Sequence, residues 1–107
     1  MRRLGFLFIC ALVVSPACTV GGTKLDPDTA GRALFEKNCA SCHKGGGNVV
    51  NPQKTLSSSD RAANGITTAD DVIKVMRNPG PGMPTFGPDV LSDDEARAVA
   101  EFVLRHF

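Results

Sequence analysis

The sequence predicts a small all-α domain, and three observations carry this prediction. The C-terminal segment repeats apolar residues at i, i+3, i+4, i+7, i+8 and i+11, the spacing of one helix face. Thr68 with Asp71, and Ser92 with Glu95, each form a capping-box pattern that opens a helix. No run of residues alternates between apolar and polar as a half-buried strand would. The repeating apolar positions are Ala96, Val99, Ala100, Val103, Leu104 and Phe107.

The first predicted helix contains the most informative part of the sequence. Asp28 is a suitable N-cap, and helix-forming residues continue from there to His43. Residues 45–47 are all glycine and end the helix. Residues 48–56 show no periodicity and contain a proline, so they predict a loop.

The later secondary-structure elements are predicted from helix caps and helix-breaking residues. A short helix is expected from Ser59 to Asn64, with Gly65 in the C-cap region. Thr68 opens the next helix. Residues 78–89 are too rich in proline and glycine for helix or strand, so they predict an irregular loop before Ser92 caps the last helix.

The N-terminus has the features of an export signal. Arg2 and Arg3 precede an apolar run at residues 4–14, and small residues stand at 15–17. The run is shorter than the about 20 apolar residues of a membrane-spanning helix. Cleavage after residue 17 would leave Cys18 first, which also fits a lipid-carrying N-terminal cysteine. Ser15 stands where a lipoprotein signal usually has an aliphatic residue, so lipidation is the lesser alternative.

The amino-acid composition excludes some classes of function and favours others. Removing residues 1–17 takes Lys plus Arg from 12 to 10 against 11 acidic residues, a net charge of −1, so no basic surface for nucleic acid is expected. The whole sequence has six Phe and no Trp or Tyr. A domain this small has a limited core, which indicates that a large apolar cofactor fills its centre.

Cys39, Cys42 and His43 form a Cys-x-x-Cys-His motif, the pattern of covalent c-type haem attachment. The two sulfurs would form thioethers to the porphyrin, and the imidazole would be the proximal iron ligand. A zinc site needs further Cys or His ligands, and outside the motif the chain after residue 18 offers only His106. A thioredoxin-like pair would need a βαβ context. We therefore predict one covalently attached haem c, and export supports it because haem c is attached outside the cytoplasm.

An electron-carrying haem needs a sixth iron ligand, and two methionines follow the motif. Met76 lies on the apolar side of a helical pattern, which is typical of core packing. Met83 stands in a loop stiffened by Pro81 and Pro84, which could present its sulfur at a fixed distance. Met83 is the preferred ligand, with Met76 as the alternative.

The stretches GRALFEKNCASCHKGGGNVVNPQKTL and GMPTFG…LSDDEARAVAEFVL resemble class I cytochromes c, and specifically the cytochrome c6 (c-553) group, over about residues 29–105. The resemblance implies a small class I cytochrome c fold, about four short helices around one covalently bound haem. It also implies axial ligation by His43 and Met83 and thioethers at Cys39 and Cys42.

The same resemblance implies particular contacts within the domain. Gly31 would let the first and last helices cross closely, and Phe35 would pack near Phe102. The alternative for Phe102 is an exposed aromatic residue on the surface. A carbonyl near Pro52 would accept the Nδ1 proton of His43.

The sequence also departs from the cytochrome c6 pattern. Val75 stands where the family usually has a glutamine near the haem, eight residues before the methionine ligand. Asn78-Pro79-Gly80 replaces the common Asn-Gly-Lys. Because polarity near the ring tunes the reduction potential, a photosynthetic role does not carry over, and a respiratory role fits equally well.

The predicted organisation is a signal peptide at 1–17 (alternatively a lipoprotein signal), a linker at 18–28 and a cytochrome c domain at 29–107. The predicted function is single-electron transfer between membrane-bound or soluble redox partner proteins outside the cytoplasm, by a monomer that is not an enzyme. It would contact a membrane only through a lipid at Cys18. Two alternatives are a haem with an exchangeable sixth ligand, as in peroxidases and gas or redox sensors, and a structural haem subunit. His106 is expected to stay solvated.

Overall fold

The computed structural model describes residues 23–107, which form five α-helices and contain no β-strand. The all-α prediction is confirmed, with one helix more than the approximate four. A π-helical turn at Pro27–Gly31 precedes the first helix, and a 3-10 turn at Lys44–Gly46 follows the second. The helices are α1 Arg32–Asn38, α2 Ala40–His43, α3 Ser58–Ala63, α4 Ala69–Arg77 and α5 Asp93–His106.

The predicted signal peptide and Cys18 lie outside the described residues. Within residues 23–107, no helix combines the length and apolar character that crossing a membrane requires.

Asp26 caps the first helical segment, which begins at Pro27, so the predicted cap at Asp28 is wrong. The Asp26 carboxylate accepts hydrogen bonds from the Thr29 backbone N (3.0 Å) and hydroxyl (2.8 Å). Pro27 takes the first helical position, where its missing N–H is not needed. Asp28 lies inside the first turn and is therefore free to pair with side chains of α5.

The predicted continuous helix to His43 is interrupted at Cys39. This residue has φ −122° and ψ −34°, outside helical values, and it separates α1 from α2. Its N–H still donates to the Phe35 carbonyl (2.8 Å), and its own carbonyl accepts from the His43 N–H (2.9 Å). The haem-attachment motif therefore lies on a kinked helical segment that continues the hydrogen bonding of α1.

The N-terminal turn and α1 cross α5 at close range. Gly31 is buried, and a Cβ at this position would overlap the carbonyl oxygen of Ala98. The rings of Phe35 and Phe102 lie 5.3 Å apart between centroids. Phe102 is only 3% exposed, so the surface reading of this residue is wrong. The close crossing and the aromatic contact predicted from the family resemblance are confirmed.

The caps of the later helices are largely as predicted. Thr68 and Ser92 both complete capping boxes. The short helix α3 begins one residue earlier than predicted, because the Ser57 hydroxyl accepts from the Asp60 N–H. Gly65 follows it with φ +71°, a left-handed conformation that favours glycine.

Arg77, the last residue of α4, holds the irregular loop at residues 78–92. Its guanidinium donates to the carbonyls of Phe86 (2.8 Å) and Leu91 (2.7 Å) and pairs with Asp93 (2.9 Å). The Phe86 N–H also donates to the Met76 carbonyl (2.9 Å). These bonds fasten a proline-rich segment that has no secondary structure of its own.

Candidate functional site

A cavity of about 610 Å³ opens between the helices and the two irregular loops. Its wall comes from α1 and α2, residues 48–56, α3, α4, the loop at 80–86 and α5. All four predicted haem residues border this one cavity: Cys39, Cys42, His43 and Met83.

The two cysteines of the motif are free thiols in the wall. Burial raises the pKa of the Cys39 thiol to about 11, so its sulfur is neutral at physiological pH. A thioether is likewise uncharged. This part of the wall therefore suits an apolar ring edge bonded through sulfur.

His43 is held in one tautomer. Its Nδ1 lies 2.8 Å from the carbonyl oxygen of Gly47. Since a carbonyl can only accept, Nδ1 carries the proton, and Nε2 keeps the lone pair that a metal requires.

Gly47, rather than a carbonyl near Pro52, is the acceptor, so that prediction is wrong. The difference arises because the chain turns back through Lys44–Gly46 directly after the histidine. Gly46 has φ +81°, and a Cβ there would meet the Phe107 ring at 2.5 Å. A glycine is needed at this turn both for its conformation and for its packing.

Both methionines border the cavity, but in different surroundings. Met76 is 4% exposed and belongs to the hydrophobic core with Phe35 and Val99. Met83 is half-buried on the loop and packs at the edge of that core. Next to it Gly82 has φ +92°, and a Cβ there would lie 2.8 Å from Val50 Cγ1. The choice of Met83 over Met76 stays a prediction.

The remaining wall is mostly apolar, which fits a porphyrin. Phe35, Leu56, Val72 and Phe86 line it, and Val75 places an apolar side chain where the family usually has glutamine. A zinc centre lacks ligands, since no group of three or more His, Cys, Asp or Glu residues in the described part could hold a metal ion. The donor set and the lining together fit a haem bonded through sulfur and ligated by imidazole.

His106 stays exposed, as expected, and it also lies against the N-terminal turn. Its Nε2 lies 2.8 Å from Asp28 Oδ1, and its ring stacks on Phe102 with 4.6 Å between centroids. The hydrogen bond from His106, followed by the charge and hydrogen bond of Arg105, holds the pKa of the Asp28 carboxyl below its usual range.

Two arginines at the site were missed by sequence reasoning. Arg61 is buried in the cavity wall, and Arg77 fastens the loop that carries Met83. Both stand in helices, where the usual expectation for an arginine is a solvated side chain. The position of Arg77 at a helix end before a proline-rich loop is the only local signal that pointed to such a role.

Comparison with known proteins gives a consistent result. Residues 26–103 match the family described as cytochrome c oxidase, cbb3-type, subunit III. The chain is 38% identical to cytochrome c6 of Rippkaea orientalis over 94% of this chain and 85% of that protein. It is 37% identical to cytochrome c6 of Synechocystis sp. over 94% of this chain and 83% of that protein.

Solved structures of cytochromes are also similar to this chain. Outer membrane cytochrome F (OmcF) of Geobacter sulfurreducens is 48% identical, with a TM-score of 0.70 over 72% of this chain and 98% of that one. Cytochrome c6C of Synechococcus sp. is 36% identical, with a TM-score of 0.67 over 71% of this chain and 92% of that one.

Proposed function

This chain belongs to the cytochrome c6 family and carries one covalently bound haem c, and on that premise we propose that His43 and Met83 are its axial iron ligands. Cys39 and Cys42 hold the ring through thioethers in this proposal. The observation that carries it is the hydrogen bond from His43 Nδ1 to the Gly47 carbonyl (2.8 Å), which frees Nε2 beside both cysteines in one cavity.

The protein is a small electron carrier, and its relatives favour this function over an exchangeable-ligand haem or a structural haem. The haem supplies a one-electron Fe(II)/Fe(III) couple. The Gly47 carbonyl orients the His43 ring, and Arg77 fastens the loop that carries Met83. The mostly apolar part of the wall suits the ring. Because these hydrogen bonds hold both groups, we expect electron transfer to need little structural reorganisation.

Met83 is the better ligand candidate because its side chain is not committed to the core. Met76 is 4% exposed among Phe35 and Val99, so turning its sulfur toward iron would leave a gap in that cluster. Met83 belongs to a segment whose backbone is fixed by hydrogen bonds from Arg77 and Phe86.

Visible spectra of Met83→Ala test this assignment. The variant should lose the far-red methionine-to-iron absorption of the oxidised protein, have a lower reduction potential, and bind carbon monoxide when reduced. Met76→Leu is the matched control, which should keep the band and lose only about 1 kcal/mol of stability. Retention of the band in Met83→Ala together with its loss in Met76→Leu would transfer the ligand role to Met76.

Electron carriers of this family work with redox partner proteins, and we infer that these dock on the apolar surface beside the Met83 loop. Val49 and Val50 are 68% and 58% exposed there, and Val50 packs on Gly82. The net charge of about −1 after removal of residues 1–17 makes long-range electrostatic steering weak. Val49→Asp should slow electron exchange with a small redox protein and leave the potential unchanged; an unchanged rate would contradict this surface.

The protein functions outside the cytoplasm, as cytochrome c6 relatives do. We propose cleavage after Ala17, so that the mature chain begins at Cys18. A mature mass equal to residues 18–107 plus one haem supports this, and a mass that includes residues 1–17 contradicts it. Additional acyl mass would instead identify a lipid anchor at Cys18, in keeping with the name outer membrane cytochrome F of one relative.

A further inference from the structure

Among the residues that the structure describes, Arg61 is the one charged residue that is buried. It lies on α3, is 7% exposed, and borders the haem cavity. Its Nε donates to the Leu56 carbonyl at 2.8 Å. Within residues 23–107 its terminal nitrogens make no hydrogen bond, and no carboxylate forms an ion pair with it.

The unbonded terminal nitrogens of Arg61 keep some accessible surface, and a molecule that fills the cavity would cover them. A guanidinium covered in this way needs a compensating negative charge, because an unpaired buried charge is strongly destabilising. The carboxylate of Asp60 borders the same cavity but is engaged elsewhere. It accepts from the Thr55 hydroxyl and, at 3.2 Å, from the Thr55 N–H, and these bonds hold the pKa of Asp60 below its usual value. Asp60 is therefore not the partner of Arg61 in this conformation.

The remaining titratable groups that face the cavity offer no anion for Arg61. Lys54 is exposed at the rim and has the same sign of charge. Cys39 is neutral at physiological pH. Cys42 would be consumed by a thioether, and His43 is occupied by the Gly47 carbonyl and the proposed iron bond. A molecule that fills this cavity must bring the counter-charge itself.

Haem c has two ionisable groups, its propionate carboxylates, on an otherwise apolar ring. We propose that the terminal nitrogens of Arg61 bind one of these carboxylates and keep it ionised in both oxidation states of the iron. A guanidinium fork is suited to this because it donates two parallel hydrogen bonds to a carboxylate. The inference rests on the haem site and is independent of which methionine ligates the iron.

The consequence is that electron transfer stays separate from proton transfer near neutral pH. Without Arg61, the carboxylate would lie in the same low-polarity wall without a counter-charge, and its affinity for a proton would rise. The ferric iron has one more positive charge than the ferrous iron, so the ferric form would hold that proton less tightly. Reduction would then take up one electron and one proton together.

Redox titrations from about pH 4 to about pH 8 test this in four proteins: the parent, Arg61→Gln, Arg61→Lys and Lys37→Gln. The potential of Arg61→Gln should fall more steeply with pH than that of the parent. Full coupling changes the reduction equilibrium tenfold per pH unit, which is about 59 mV for one electron. Lys37→Gln removes the same charge from an exposed position of α1 outside the cavity wall and should leave the pH profile unchanged.

Arg61→Lys separates charge pairing from structural support. It keeps the positive charge but replaces the Nε donor to Leu56, so its stability to denaturant should fall while its pH profile stays near that of the parent. If Arg61→Gln has the pH profile of the parent, or if Arg61→Lys becomes as pH-dependent as Arg61→Gln, the carboxylate-binding role is overturned. Retention of the far-red methionine band in each variant keeps this outcome distinct from a failure of the ligand assignment.

The parent protein gives a second test that does not depend on folding of a variant. With haem carrying ¹³C in its propionate carboxyls, one of the two resonances should titrate well below the about 4–5 of ordinary carboxyls. If both resonances titrate in the ordinary range or above it, Arg61 does not bind a haem carboxylate.

Discussion

The helix crossing and the cavity wall are built in opposite ways. At the crossing, the N-terminal turn and α1 meet α5 directly, with Gly31 against Ala98 and Phe35 against Phe102. In the cavity wall, irregular loops at residues 44–57 and 78–92 present apolar side chains to a space that no other side chain fills. One region is packed by polypeptide, and the other is completed by the cofactor.

The difference indicates how stability is divided in a domain of this size. Helix packing supplies only part of a core, since a chain of about 90 residues buries a limited fraction of its surface. The haem supplies the rest of the apolar contact, and the ligands and thioethers fix it in place. The free energy of unfolding should then be sensitive to small changes in side-chain volume at the crossing. Folding of the cavity wall should depend on the presence of the haem.

The largest loss of stability should come from preventing haem attachment. The double variant Cys39→Ala/Cys42→Ala, produced in a host that assembles haem c, should be largely unfolded because the cavity wall then has nothing to pack against. Far-UV circular dichroism should show loss of most of the helical signal.

Ser41→Ala is the matched control, since Ser41 is an exposed residue between the two cysteines and its replacement should leave a coloured, helical protein. A colourless double variant with full helical signal and a cooperative thermal transition would show that helix packing alone is sufficient.

An intermediate effect is expected at the crossing itself. Gly31→Ala would drive a methyl group into the Ala98 carbonyl and close to Phe102 Cβ, so α1 and α5 must move apart. We expect a loss of about 1–3 kcal/mol in the free energy of unfolding, measured with chemical denaturant. Gly80→Ala is the control, because no atom lies within 4 Å of the added Cβ there. Equal stability of the two variants would contradict a tight crossing.

The smallest effect should come from the polar contacts that flank the crossing. Asp28 joins the first turn to Arg105 and His106 near the end of α5, but these groups are exposed. Asp28→Asn should therefore lower the melting temperature only slightly.

The pH dependence of the Asp28 contribution has a definite sign. Because the folded-state pKa of Asp28 is depressed, its stabilisation is complete above the ordinary value of 3.8 and is lost as the pH falls through that value toward the lower folded pKa. Melting temperatures of parent and Asp28→Asn should differ near neutral pH and converge in acid. A difference that grows in acid would contradict this assignment.

Patterns confined to neighbouring residues predicted much of the fold. The capping boxes at Thr68 and Ser92 were correct because each depends on residues three positions apart. The cap at Asp28 was wrong although Asp26 is equally suitable, since Pro27 between them decides the matter by occupying the first helical position. The kink at Cys39 had no signal in the sequence.

About as much of the candidate site as of the fold could be predicted from the sequence. The Cys-x-x-Cys-His motif predicts attachment and proximal ligation within five residues, and the four predicted residues do border one cavity. The Gly47 acceptor and the burial of Arg61 were not predictable, because both depend on how the chain folds back after His43 and after Leu56.

The sequence by itself determined that this protein is helical, binds haem covalently and belongs with small electron-carrying cytochromes. These properties depend on short-range backbone preferences and on a compact covalent motif. Only the tertiary structure decided that Phe107 packs on Gly46, that His106 pairs with Asp28, and that Arg61 carries a buried charge in the cavity wall. The reason is that such contacts join groups far apart in the chain, and their distances are set by where the helices cross.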